Sequence, residues 1–165
     1  MKKIILLVFI VFMLVGCSFS STPTSKVEEL FMKYQKVDND ISLGIDNIMK
    51  EENLLENHRD RYRELLIKQY RNLTYNIKDE VIDGDKAIVT AEIEVIDYRK
   101  AIGDLVFDSN IYTKDSYDLE KINRLEKARD KVKYTLEFKL NKNSDGIWEL
   151  VPLTSEQTKK IQGMF

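Results

Sequence analysis

One thiol, one imidazole and a scatter of carboxylates, phenols and guanidiniums are the reactive groups this chain offers. Cys17 and His58 are its only cysteine and histidine, which excludes the usual zinc ligand sets. Cys17 stands at the end of Leu14-Val15-Gly16-Cys17, directly behind a long apolar run. Asp97 lies two residues past Val95 on the inward register of a strand. There it could serve as a cavity acid or base, or be a solvated carboxylate at a strand end. His58 falls on the apolar side of a helix, as a cavity base or as a half-buried ring bonded to a neighbour. Tyr34, Tyr62, Tyr75 and Tyr134 recur at helix or strand period, which suits cavity lining or plain core. Arg59, Arg61 and Arg63 alternate, and on a helix that spacing scatters them around the surface, against a phosphate site.

The first of these groups has the clearest context. Lys2 and Lys3 precede an uncharged apolar run from Ile4 to Val15. A bilayer-spanning helix needs about 20 residues, whereas twelve fit the hydrophobic region of a secretory signal. The run ending in Leu-Val-Gly-Cys resembles the lipobox of bacterial lipoproteins. The resemblance implies a signal peptide over residues 1–16, cleaved behind the small Gly16, and a diacylglyceryl group on the Cys17 thiol. One acyl chain holds a protein only marginally on a membrane, and two hold it stably. "SFSSTPTS", residues 18–25, then reads as a flexible tether, so that lipidated Cys17 and tether occupy 17–25. The expected location is the extracytoplasmic face of the cell membrane, lipid-anchored.

Removing sixteen residues from 165 leaves 149, enough for one domain with a real core, over 26–165. Losing two lysines takes the formal charge from −2 to about −4, which is no footprint for nucleic acid.

The remaining residues must position any site. Ser25 to Glu28 matches a capping box. Val27, Leu30, Phe31, Tyr34, Ile41, Ile45, Ile48 and Met49 form one helical stripe, and a second helix is expected from Leu55 to Asn72. The period then changes to two. Tyr75 and Ile77 precede an Asp83-Gly84-Asp85 turn, and Ala87, Val89, Ala91, Ile93 and Val95 line one face of a long strand. Residues 99–130 interrupt the sheet, with a short helix expected at Ala101–Phe107, a loop over 108–116 and a helix carrying Leu119, Ile122, Leu125 and Ala128. Within it Glu120 and Arg124 stand at helical i,i+4 spacing. Val132 to Leu140 alternates cleanly, an Asp145-Gly146 turn follows, Trp148 and Leu150 share the face of a last strand, and a terminal helix starts at Ser155.

Two helices followed by two hairpins predict an α+β domain: amphipathic helices packed on a curved four-stranded antiparallel sheet, with a helical insertion between the hairpins. Tyr75-Asn76-Ile77, Asp83-Gly84-Asp85-Lys86-Ala87-Ile88-Val89 and Asp145-Gly146-Ile147-Trp148-Glu149-Leu150 resemble motifs of small bacterial lipoproteins with an NTF2-like (cystatin-like α+β roll) domain. The resemblance spans residues 25–162, and the 99–130 segment departs from it. Members of that superfamily differ in function, so fold does not imply function. The leading expectation is a non-catalytic module that binds a protein partner or an envelope component near the membrane. The second is a carrier of a small apolar ligand in the roll cavity, and a remote third is an enzyme with a cavity acid or base. The reading assigns a lipidation site to Cys17 and no catalytic, cofactor or metal residue. It also expects the 99–130 segment to border the open end of the roll and to contribute to binding.

Overall fold

The computed structural model describes residues 21–165; the expected signal peptide and Cys17 lie outside them. Helix α1 spans Pro23–Lys36, with Pro23 in its first turn and the Thr22 hydroxyl accepting a hydrogen bond from Ser25 N–H at 3.0 Å. Thr22 thus performs the capping expected of Ser25, and the stretch read as tether already contains the first helical turn. The reason is local: proline has its φ preset for a first turn and lacks only an N–H that would find no partner there.

The stripe that promised one long helix is split. Val37 adopts a left-handed conformation (φ 52°), and the Asp38 carboxylate caps a second helix, α2 (Asn39–Glu51), by accepting from Ile41 N–H at 3.1 Å. The apolar residues stay in phase across the break, so periodicity alone does not reveal it. Helix α3 (Glu56–Arg71) ends at Asn72, as expected.

Strand β1 (Thr74–Asp83) pairs with β2 (Lys86–Ile96) around Gly84, whose φ is +58°, at the first position of the two-residue turn. Glycine is the residue that accepts this conformation without strain. Helix α4 (Tyr98–Ile102) stops at Gly103, earlier than the helix expected at 101–107. Helix α5 (Lys114–Lys127), strand β3 (Lys131–Lys142), strand β4 (Trp148–Leu150) and helix α6 (Ser155–Ile161) complete the chain. Among the described residues this is an α+β fold of six helices and one antiparallel sheet in the order β1-β2-β3-β4. The sheet is not strongly curled.

One face of the sheet is buried. Ala87, Val89, Ala91, Ile93 and Val95 of β2 and Leu136, Phe138 and Leu140 of β3 all point into the core. The ring of Phe31 stacks on Tyr75 at 4.4 Å and meets Phe138 edge-on at 5.4 Å, which fixes α1 against the sheet. Each such buried aromatic or aliphatic side chain stabilises by roughly 1.5–3 kcal/mol.

The direction of α1 decides which end of the sheet lies near the start of the domain. Thr24 N–H bonds the Glu80 carboxylate at 2.8 Å, and Gln35 Nε2 bonds Leu73 O at 2.9 Å. Helix α1 therefore enters beside the distal half of the β1–β2 hairpin and runs toward the end of the sheet where β1 begins. The insertion leaves from that second end, where Asp97 N–H bonds Asp130 O at 2.8 Å and closes its base.

Candidate functional site

The insertion is clamped to the rest of the fold by a polar seam between α3 and α5. His58 is buried, and its Nε2 lies 2.8 Å from an Asp115 oxygen that also accepts from Asn57 Nδ2 at 3.0 Å. The Asn57 amide and the His58 ring hold the Asp115 carboxyl below its ordinary value of 3.8. Asp118 is fully buried; one oxygen accepts from Leu55 N–H at 3.1 Å at the start of α3, and the other meets Lys114. A carboxylate at a helix N-terminus is favoured both by the open N–H groups and by the helix dipole. Farther along, Lys121 pairs with Glu52, which also accepts from the buried Tyr62 hydroxyl at 2.9 Å. Ser116 completes the capping box with Thr113, so its hydroxyl is engaged at the helix start. The seam is a fastening of caps and ion pairs.

What it fastens is a loop, residues 103–113. Gly103 (φ +59°) turns the chain out of α4. The Asp108 carboxylate accepts from Asn110 N–H at 2.8 Å, and Asp108 O accepts from Ile111 and Tyr112 N–H. Thr113 then caps α5. Arg124 props the loop from beneath through Ile102 O at 2.8 Å and Asp104 at 3.3 Å, while its Nε holds Glu120 at the expected i,i+4 spacing. On this braced loop Val106 is 73 % exposed, Ile111 71 % and Phe107 47 %. The Phe107 and Tyr112 rings meet Tyr117 edge-on at 5.4 and 6.0 Å. Phe107, Tyr112 and Arg124 line a concavity of about 640 Å³. An exposed phenylalanine beside half-buried tyrosines and an arginine is a composition enriched in protein-recognition surfaces.

Among the residues singled out from sequence, the structure brings few together. Asp97 caps α4, accepting from Lys100 N–H at 2.8 Å, at the rim of a concavity of about 390 Å³ that it shares with Lys100, Arg124, Arg129 and Asp130. His58 is the buried, neighbour-bonded ring of its plainer reading. Tyr34 packs on Tyr70, Tyr62 bonds Glu52, Tyr75 stacks on Phe31 and Tyr134 donates to Phe165 O, so the four phenols are dispersed through the core and its margin. Burial raises the Tyr34 and Tyr62 hydroxyls above their ordinary range, which keeps them neutral. The three arginines serve three neighbours: Arg59 bonds Glu56, Arg61 bonds Glu126 and Arg63 bonds Asp46.

Sequence reasoning missed Asp115, Asp118 and Gln69. Gln69 is fully buried: its Nε2 donates to Ile96 O at 2.7 Å and Gln162 O at 2.9 Å, and its Oε1 accepts from Ile96 N–H. Beside it Gly163 (φ +70°) passes so close that a Cβ would collide with Ile96 O and the Gln69 amide. Only the Asp-x-x-Asp spacing at the head of α5 hinted at a cap.

A second concavity, of about 530 Å³, runs along the edge of β3 where the three-residue β4 stops covering it. Leu136, Phe138, Val151, Pro152 and Leu153 line it, and the Gln157 side chain reaches across to Glu137 O at 2.7 Å. Among the described residues no cluster of His, Cys, Asp or Glu could hold a metal ion, and no helix is long and apolar enough to cross a membrane. No family model, curated protein or solved structure matches the chain.

Proposed function

We propose that this chain is a membrane-anchored extracytoplasmic lipoprotein, held through a diacylglyceryl group on Cys17, whose single α+β domain is a shallow NTF2-like roll acting as a non-catalytic binding module. Its partner is an envelope protein, recognised through the 103–113 loop. The observation that carries this reading is the exposure of Val106, Phe107 and Ile111 together on a loop whose base is pinned by Arg124 and the His58–Asp115 seam. A braced loop loses little freedom on docking, so its apolar side chains contribute most of their burial to affinity. Asp97 is engaged in capping α4 and His58 is buried against Asp115, which favours binding over acid–base chemistry.

The cleft along β3, lined by Leu136, Phe138 and Leu153, supports a second reading as a carrier of a small apolar ligand.

The test uses the lipidated protein in its own membranes. Val106 to Ile111 is replaced by a Gly/Ser linker of equal length, which leaves the Thr113 cap and the Asp115 and Asp118 contacts in place, and partner capture is quantified against the parent at matched abundance. Capture of a defined partner should fall at least tenfold, about 1.4 kcal/mol. Undiminished capture would move recognition to another face. Mass spectrometry of small molecules released on denaturation tests the carrier reading: stoichiometric apolar ligand, lost in Phe138→Trp, would favour it.

A further inference from the structure

The outer face of the sheet, turned away from the helices, changes character along its length. Where β2 ends it is a charged lattice: Glu94 bonds Lys131 at 2.7 Å, and Glu92 bonds Lys133 at 3.2 Å and Lys78 at 3.6 Å. Nearer the β1–β2 turn it becomes apolar. Val81 pairs directly with Ile88, Ile88 with Lys139, and Val151 N–H bonds Lys139 O. These residues form one row across all four strand positions, three apolar side chains and one lysine whose stem can lie along them. Val81 is 56 % exposed, and Ile82 and Ile147 are exposed beside the same two turns. No helix among the described residues packs over this row.

The chain itself says what lies near this end. Helix α1 begins at Pro23 and touches Glu80, next in sequence to Val81. Cys17 and Pro23 are six residues apart. Six residues cannot reach beyond about 20 Å in any conformation, and the headgroup layer occupies about 5–8 Å of that. An acylated Cys17 therefore holds the hairpin end of the sheet within about 15 Å of the headgroups, while the insertion leaves from the opposite end.

Resting on the lipoprotein reading, we infer that the apolar row of Val81, Ile88 and Val151 is a bilayer-docking face, which lays the hairpin on the lipid surface and orients the domain. The turn carboxylates of Asp83, Asp85 and Asp145 forbid an end-on plunge. The domain leans, so that the row meets the headgroup–acyl boundary while the carboxylates stay in water.

The protein offers clean labelling, because its only native thiol is the one consumed by lipid. The lipidated full chain is reconstituted into phosphatidylcholine vesicles, with Val81→Cys, Ile147→Cys or Ile111→Cys carrying an environment-sensitive fluorophore. The expected result is a blue-shifted emission at residues 81 and 147, quenched at least twofold by brominated lipid, and neither change at 111. Val81→Ser with Ile88→Ser should abolish the quenching at 147 without moving the melting temperature. Equal quenching at 81 and 111, on protein whose Cys17 acylation is verified by mass, overturns the docking face alone. An unacylated Cys17 in protein purified from its own membranes overturns the reading beneath it as well.

Discussion

The knot around Gln69 and the loop that carries Phe107 obey opposite rules. At the knot a polar side chain is completely buried, both ends of its amide have partners, and a glycine is required because nothing larger fits. At the loop, apolar side chains face water while backbone turns and an arginine hold them in place. Both arrangements cost free energy in isolation. Burying an amide is tolerated only when its bonds are complete, and exposing a valine, an isoleucine and a phenylalanine together forgoes their burial. The knot recovers its cost inside the fold, by tying α3, β2 and the C-terminal turn together. The loop has no such return within the fold, which is why we place recognition there.

The contrast can be broken from the knot side first. Gln69→Leu removes partners from Ile96 N–H, Ile96 O and Gln162 O together. At roughly 1–3 kcal/mol for each of the three stranded groups, the expected loss is about 3–9 kcal/mol, read as a large fall in the denaturant midpoint. A loss under about 1 kcal/mol would mean that water replaces the amide and that the knot is ornamental. Trp148, the first residue of β4, is buried beside α1, with Lys142 Nζ 4.6 Å from its ring centroid. Trp148→Ala should cost about 3–5 kcal/mol without changing partner capture; the reverse outcome would move Trp148 into a binding site.

The seam between knot and loop should give intermediate effects. Asp118→Ala strands Leu55 N–H at the start of α3, for an expected cost of about 2 kcal/mol. Hydrogen exchange should then quicken in α5 before it does in the sheet. Asp115 adds a dependence on pH. Its folded-state carboxyl is held below the ordinary 3.8 by Asn57 and His58, so its ionised form favours the folded state. That contribution is complete above the unfolded value and is lost as pH falls through 3.8 toward the lower folded value. Acid titration of the melting temperature below about pH 4 should therefore be shallower in Asp115→Asn than in the parent. Identical titrations would exclude the contact as a stabilising one. The smallest structural effect belongs to the loop: Phe107→Ser with Ile111→Ser should change stability by no more than about 0.5 kcal/mol. A marked drop in melting temperature would make these residues part of the core.

Sequence pattern reveals the strands well because alternation reports burial directly. The inward set of β2 and the inward half of β3 are the residues named from period two, and the Asp-Gly turns stand where glycine's positive φ is needed. The break at Val37–Asp38 is hidden, because the apolar phase of α1 continues into α2 and the signal is a β-branched residue in a left-handed conformation. Extending β2's register one step too far puts Asp97 on the inward face of the strand; in the structure it stands one residue past β2, and its carboxylate caps α4. His58 and Asp115 lie 57 positions apart, and Gln69 bonds backbone groups that no side-chain pattern announces. Pairings of that kind belong to tertiary geometry. The exposed trio of the loop is half legible: the segment stands out as an interruption of the sheet, but which of its apolar residues dock and which remain outside depends on where Arg124 and Gly103 steer the chain.

The central claim is that recognition belongs to the insertion loop of a lipid-anchored domain. It is tested most directly by a photo-crosslinking residue placed at Phe107 or Ile111, and separately at Glu92 on the charged part of the sheet's outer face, in the lipidated protein within its native membranes. The account predicts a discrete protein adduct from the two loop positions, competed away by excess soluble domain of residues 22–165, and none from position 92. A specific adduct from position 92, with none from the loop, would contradict it.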